Sequence, residues 1–225
     1  MTFSISARCQ RTGMFGIAVS SSSPCVAARC AHARAGAGVV ATQNITDPTL
    51  GPKGLDLMAS GLSAAQTLAK LRAGATHFDY RQLALVDRNG RTASFSGSMT
   101  LGTYRIKEAP NVVAAGNLLK NPDVPDRMVE SFLKDESASL GDRLIGALQA
   151  ALAAGGEEGP VHSVGMLLVR EVSWPVADLR IDWHETDPIG ELGRLWELWQ
   201  PQMDAYVTRA LNPASAPSYG VPGDK

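Results

Sequence analysis

The 225-residue chain has no excess of either charge: 21 Lys and Arg stand against 22 Asp and Glu, for a net charge of −1. Without a basic field there is no electrostatic footprint for nucleic acid or for an anionic lipid surface, so neither is expected as a partner. No apolar run approaches the roughly 18 residues of a membrane-spanning helix. The N-terminus lacks a charged segment followed by an apolar one, so no signal peptide is expected and the expected location is cytoplasmic. Cysteine is scarce. Cys9, Cys25 and Cys30 are an odd count in a mid-sized chain and point to reduced thiols rather than a disulfide framework. Cys25, Cys30 and His32 lack a fourth ligand and follow no usual zinc spacing, so neither a metal nor another cofactor is expected. Gly36 and Gly38 have no third glycine at the right offset, which removes a dinucleotide-binding fingerprint.

What is present reads as a folded α+β chain: 44% of residues are hydrophobic and 19% charged. Phe3, Ile5 and Ala7 alternate with Thr2, Ser4 and Ser6, the period of a half-buried strand. Further strands are expected at residues 15–19, 36–42, 81–86, 92–95, 111–116, 161–169 and 176–182. Asn89-Gly90 suits a type I′ hairpin turn. A helix is expected over 52–60, and a second opens at the capping box from Ser63 to Gln66, with Gly74 as its stop. Asn121-Pro122 and Asp187-Pro188 each read as an N-cap followed by proline, opening helices, and another helix runs over 140–154. There is no linker-like shift and no repeat. Residues 1–212 are therefore expected to form one domain, followed by a Pro/Gly-rich tail over 213–225 that is poorly ordered or seeks a partner.

Seven blocks in this order resemble the DUF1028 family. They are Thr2-Phe3-Ser4-Ile5, Gly16 to Ser21, Ala33 to Gly38, Val40 to Gln43, Leu50 to Leu55, Ala115 to Leu119 and Asp178 to Asp182. The resemblance spans Thr2 to about Leu198 and implies a four-layer αββα sandwich like that of the N-terminal-nucleophile (Ntn) hydrolases. It also implies amide hydrolysis by Thr2 once Met1 has been removed, which a residue as small as Thr permits. The α-amine of Thr2 would act as base for its own Oγ: an α-amine has an unperturbed pKa of about 7.7–8.0 and is partly neutral near pH 7. A small polar amide, or a related C–N bond, is the substrate class implied. The alternative is a ligand-binding or assembly protein that keeps the fold without the chemistry. The Trp-bearing final helix and the tail make a homo-oligomer the expected assembly.

Several side chains could serve such a site. Asn117, at the end of a strand, could donate to an oxyanion, with Gly116 letting a substrate approach the backbone; otherwise Asn117 simply ends the strand in a turn. Ser21 and Ser22 end the strand expected beside the first, where they could orient the amine or bind substrate, or could be a solvated strand end. Asn44, Thr46 and Asp47 put amide, hydroxyl and carboxylate in one loop, which could hold a polar substrate; otherwise Asp47 caps the segment that follows. No lysine stands at Ser22-Ser23-Pro24 to lower the amine's pKa, so Arg34 or Lys53 is the candidate cation. Asp182 and His184 share a strand face and could form an acid–base pair, or Asp182 could pair with Arg180 or Arg34.

Overall fold

The strand β1 (Thr2–Arg8) is central to a computed structural model that describes residues 1–223. It pairs on one side with β2 (Phe15–Ser21) and on the other with β8 (Val112–Asn117), both antiparallel. β9 (Ser163–Val169), β10 (Ala177–Ile181) and β7 (Arg105–Ala109) complete a six-stranded sheet in the order β10-β9-β2-β1-β8-β7. The second sheet, β3-β4-β5-β6, comprises Ala31–Arg34, Gly38–Asn44, Arg81–Asp87 and Thr92–Ser96.

The two sheets face each other, with β1 and β2 over β4 and β8 over β5. Phe15, Ile17, Val39, Ala41, Val86 and Val113 fill the space between them. Behind the larger sheet lie α4 (Val124–Leu133), α5 (Leu140–Ala153) and α6 (Pro188–Trp199). Behind the smaller lie α2 (Leu50–Ala59) and α3 (Ala64–Gly74). A five-residue helix, α1 (Val26–Cys30), precedes β3, and α7 (Met203–Leu211) follows α6 after a 3-10 turn at Gln200–Gln202 that contains Pro201. This is the αββα layering that the resemblance implied. Among the described residues no helix is long and apolar enough to cross a membrane.

Layering explains a departure in β1. Its alternation predicts a strand with one wet face, yet Ser4 and Ser6 are as buried as Phe3 and Ile5. Phe3, Ile5 and Ala7 pack with Met128, Leu144 and Leu148 of the helix layer. The serine face lies toward the second sheet, where Ser4 Oγ donates to Gln43 Oε1 at 2.7 Å. An alternating pattern thus marks two different buried environments, an apolar face toward the helices and a small-hydroxyl face toward the second sheet, where Ser4 is hydrogen-bonded and Ser6 Oγ has no partner among the described residues.

Other local expectations shift. Asn89 is not in the left-handed region; Gly90 alone is, at φ 77°, and its N–H donates to Asp87 O at 2.9 Å. Arg88-Asn89 is therefore the centre of the turn, and a glycine bulge follows it in place of the type I′ turn. The buried Asp87 carboxylate fixes this loop by accepting from the N–H groups of Asn89 and Arg91 and from Arg91 Nε. The Ser63 capping box forms as expected, but Gly74 is the last helical residue and extended Ala75 (φ −113°) stops the helix. Asn121 does not cap α4. Its Oδ1 accepts from Asp123 N–H at 2.9 Å in a turn before the helix, and α4 starts two residues later. Asp187 does cap α6, accepting from Gly190 N–H at 2.8 Å.

The start of the tail folds back on α7. Arg209 lies over Tyr219 at 3.8 Å and donates to Pro217 O at 3.1 Å. The last two residues of the expected tail, 224–225, lie outside the described residues.

Candidate functional site

Antiparallel pairing brings the start of β1, the ends of β2, β4 and β8, and the starts of β5 and β9 to one end of the sandwich. Thr2 stands opposite Asn117 in register, so their side chains share a face. Both are buried, at 7% and 1% exposure. Thr2 Oγ lies 3.5 Å from Ser21 Oγ, and both hydroxyls donate to the carbonyl oxygen of Met1.

Beneath Thr2 runs a hydrogen-bonded chain between the sheets. Ser4 Oγ donates to Gln43 Oε1, and Gln43 Nε2 donates to Gln82 Oε1 at 2.8 Å. Gln82 Oε1 also accepts from Asn117 Nδ2 at 3.1 Å, while Gln82 Nε2 serves Ser96 Oγ and Gly116 O, each at 2.9 Å. Gln43, Gln82 and Asn117 are almost wholly buried. In a dry setting such a network holds each amide in one orientation, because any flip strands a donor or acceptor. One N–H of Asn117 is committed to Gln82.

A second wall comes from the segment after α5. β8 is followed at once by Leu118, a non-glycine residue in the left-handed region (φ 49°), a conformation that costs about 1–2 kcal/mol. Its carbonyl accepts from Glu158 N–H, and Leu119 bridges Glu157. Glu157 is thereby placed in the interior at 4% exposure; neither carboxylate oxygen meets hydrogen-bond geometry among the described residues, yet the N–H and hydroxyl of Ser22 stand near enough to favour its charged form. Burial pushes its pKa up to about 7, opposed by the positive N-terminal amine, by the N–H and hydroxyl of Ser22 and by His162. His162 Nδ1 lies 3.0 Å from His184 O, which as an acceptor requires the proton on Nδ1. Its ring stacks on Trp183 at 4.3 Å.

These strands, and the residues at their shared end, fall within the span that the sequence model of a family of unknown function, DUF1028, matches: residues 2–192. The chain belongs to the DUF1028 family. A crystal structure of protein SPO2555 from Silicibacter pomeroyi, itself assigned to DUF1028, is similar at 30% identity and TM-score 0.81, over 88% of this chain and 88% of that one. Anbu (ancestral beta-subunit) from Yersinia bercovieri overlaps 91% of this chain and 97% of its own at 10% identity and TM-score 0.41, a likeness too slight to add to the argument. No functionally curated protein matches.

In this DUF1028 chain the candidate residues divide. Thr2, Ser21, Ser22 and Asn117 converge on the N-terminus. Asn44, in the left-handed region at φ 75°, spends its side chain on the rim: Nδ2 donates to Tyr80 O and Oδ1 accepts from Leu101 N–H. Asp47 accepts from the N–H and hydroxyl of Thr49 at the entry to α2. Thr46 Oγ lies 3.7 Å from Cys30 Sγ, a thiol whose pKa burial raises and which feels the charge of the terminal amine. Of this loop, then, only Thr46 is tied toward the site.

The two candidate cations are placed elsewhere. Arg34 pairs with Gly38 at the start of β4, five residues from Gln43, which is about 17 Å along a strand. Its guanidinium binds Asp56 at 2.7 Å. Lys53 is exposed on α2, within electrostatic reach of Asp47. The charge that the fold sets beside the N-terminus is the carboxylate of Glu157 rather than a lysine-like group. Gly116 also has a different task from the one expected: a Cβ there would stand 2.6 Å from Leu119 Cδ2, so the space serves packing rather than substrate approach. Asp182 lies 3.8 Å from Arg180, and His184 Nδ1 accepts from the N–H groups of Thr186 and Asp187; the two do not form an acid–base pair.

Glu157, Gln43 and Gln82 escaped the reading of the sequence. Glu157 sits in Gly155-Gly156-Glu157-Glu158-Gly159-Pro160, which has the composition of a wet acidic turn. The two glutamines carried a weak signal: each is an uncharged polar residue beside the apolar run of its strand, Val39-Val40-Ala41 in β4 and Leu83-Ala84-Leu85-Val86 in β5.

Proposed function

We propose that this chain is an N-terminal-nucleophile hydrolase that opens an amide or related C–N bond of a small polar substrate, with Thr2 as nucleophile once Met1 is removed. The observation that carries the reading is the setting of Thr2 at the mouth of the inter-sheet network, its Oγ beside Ser21 Oγ and its side chain on the face of Asn117. A nucleophile that is buried, oriented and flanked by donors is what acyl transfer requires.

The step follows from the residues. The free Thr2 amine takes the Oγ proton as Oγ bonds to the substrate carbonyl carbon. The negative charge on the carbonyl oxygen is met by Ser21 Oγ–H and by the second N–H of Asn117. The C–N bond breaks, and the departing amine receives the proton from the Thr2 ammonium. Water then adds to the ester, with the amine again as base, and the acid is released with Thr2 restored.

Intact mass of the protein made in cells, combined with the rate of Thr2→Ala on a panel of amides, tests this. Loss of one methionine and a fall in rate of at least 100-fold are expected. A chain that keeps Met1 throughout, or a Thr2→Ala protein as active as the parent, overturns the mechanism. The first of these results favours the ligand-binding alternative, since Met1 now occupies both hydroxyls of the site.

A further inference from the structure

Met1 is attached to Thr2 as an acyl group, and its surroundings are those of a bound aminoacyl group. Its carbonyl oxygen accepts from Thr2 Oγ and Ser21 Oγ. Its side chain lies along Gly159, where a Cβ would come within 3.0 Å of Met1 Cε. Its ammonium is within electrostatic reach of Glu157. Glu157 is more than nine-tenths buried, and neither of its oxygens meets hydrogen-bond geometry with a partner among the described residues, although the N–H and hydroxyl of Ser22 act on it from nearby. A carboxylate left unpaired in the interior costs several kcal/mol or gives up its charge, which makes it a ready receptor for a donor brought by a ligand. Thr2 N and Thr2 Oγ stand on adjacent carbons, so an acyl group carried on Oγ would occupy nearly the space that Met1 occupies on N.

We infer that the place filled by Met1 is an aminoacyl subsite, and that the substrate is an amide of an α-amino acid with its amino group free. Glu157 receives the substrate ammonium, Ser21 Oγ donates to the scissile carbonyl, and Gly159 borders the side chain. This rests on the hydrolase reading above and names its substrate class. Thr2 Oγ bonds to the aminoacyl carbon, the amide C–N bond breaks with the leaving amine protonated by the Thr2 ammonium, and water releases the free amino acid. No co-reactant other than water is required.

The test uses the full chain with Thr2 exposed, verified by intact mass, at pH 7. Methionine p-nitroanilide is compared with its N-acetyl derivative, which keeps the side chain and the scissile bond but has no ammonium. The free-amine compound is expected to have at least tenfold higher kcat/KM, and Glu157→Gln is expected to bring that ratio below threefold. Equal rates in the parent, or a ratio that Glu157→Gln leaves unchanged, overturn the subsite while leaving the hydrolase standing. Calorimetry on the Thr2→Ala chain supplies a readout without turnover. Methioninamide is expected to bind at least tenfold more tightly than N-acetylmethioninamide, and Glu157→Gln is expected to erase the difference. Selective binding without turnover by the parent sinks the hydrolase and keeps the subsite. Equal binding, or no binding of either at millimolar concentration, overturns the subsite.

Discussion

At pH 8 the Met1-bearing protein is expected to gain about 3 kcal/mol of stability from Glu157→Gln, and at pH 4 almost none. The Glu157 pKa is raised from its ordinary 4.5 to about 7 in the fold. The unfolded chain loses this proton near 4.5, whereas the folded one keeps it to about 7. Stability is therefore full below 4.5, falls as the pH rises between the two values, and reaches its floor above 7. At 1.36 kcal/mol per pH unit, the interval from 4.5 to about 7 gives the figure of about 3 kcal/mol. The side chain is only 4% exposed, so solvent screening removes little of it. Gln has nearly the same shape and no charge to lose, which deletes the pH-dependent part. For a chain of this length, about 3 kcal/mol is a shift in Tm of roughly 6–12 °C. Thermal melts of parent and variant from pH 4 to 8 are the assay, and other titrating groups cancel in the difference where they lie apart from residue 157. A gain of the same size at both ends refutes the reasoning, and so does a loss at pH 8, which would mean that the carboxylate is stabilised by an ion pair.

Asp87 carries the opposite sign. Burial raises its pKa, but the N–H groups of Ala64, Asn89 and Arg91 and the Arg91 guanidinium outweigh that and leave it lowered. Its contribution is present above pH 3.8 and is lost as the pH falls through the depressed value. Asp87→Ala is expected to cost about 3 kcal/mol in urea unfolding at pH 7, with the cost shrinking toward pH 2. Gln82→Leu leaves Gln43 and Asn117 with unpaired buried donors, for an expected loss of about 2–4 kcal/mol; a loss under 0.5 kcal/mol would show the network to be dispensable. Gly116→Ala drives a Cβ to 2.6 Å from Leu119, and about 1–3 kcal/mol is the expected cost, which Gly116→Ala combined with Leu119→Ala should not add to the loss from Leu119→Ala alone.

Much of the fold was legible because local chemistry decides it. Asp187 and Ser63 are caps wherever a helix follows them, and their backbone acceptor roles formed as expected. Asn121 shows the limit. Its oxygen accepts from the N–H two residues on, as a cap-like residue can, but Pro125 and the packing of Val124 set the helix start later. Likewise Asn89-Gly90 has the composition of one turn and the geometry of another, because Asp87 holds the loop by three hydrogen bonds that a reading of two residues does not include. At the candidate site, Thr2, Ser21 and Asn117 could be named from strand ends and from the family resemblance. The cation sought at Arg34 could not be placed, since which end of β4 faces the N-terminus depends on how two sheets stack.

By itself the sequence determined most of the elements, the helix caps at Ser63 and Asp187, and the family; β3, β7, α1 and α7 were not legible in it. Periodicity and capping are properties of neighbours within a turn or two, and family blocks are properties of order along the chain. Tertiary structure alone decided that both faces of β1 are dry, that two glutamines 39 residues apart share a hydrogen bond, and that Glu157 is buried beside the N-terminus. Each of these depends on what the second sheet, or the segment after α5, brings up against a residue distant in sequence, and burial of a charge has no signature in the residues on either side of it.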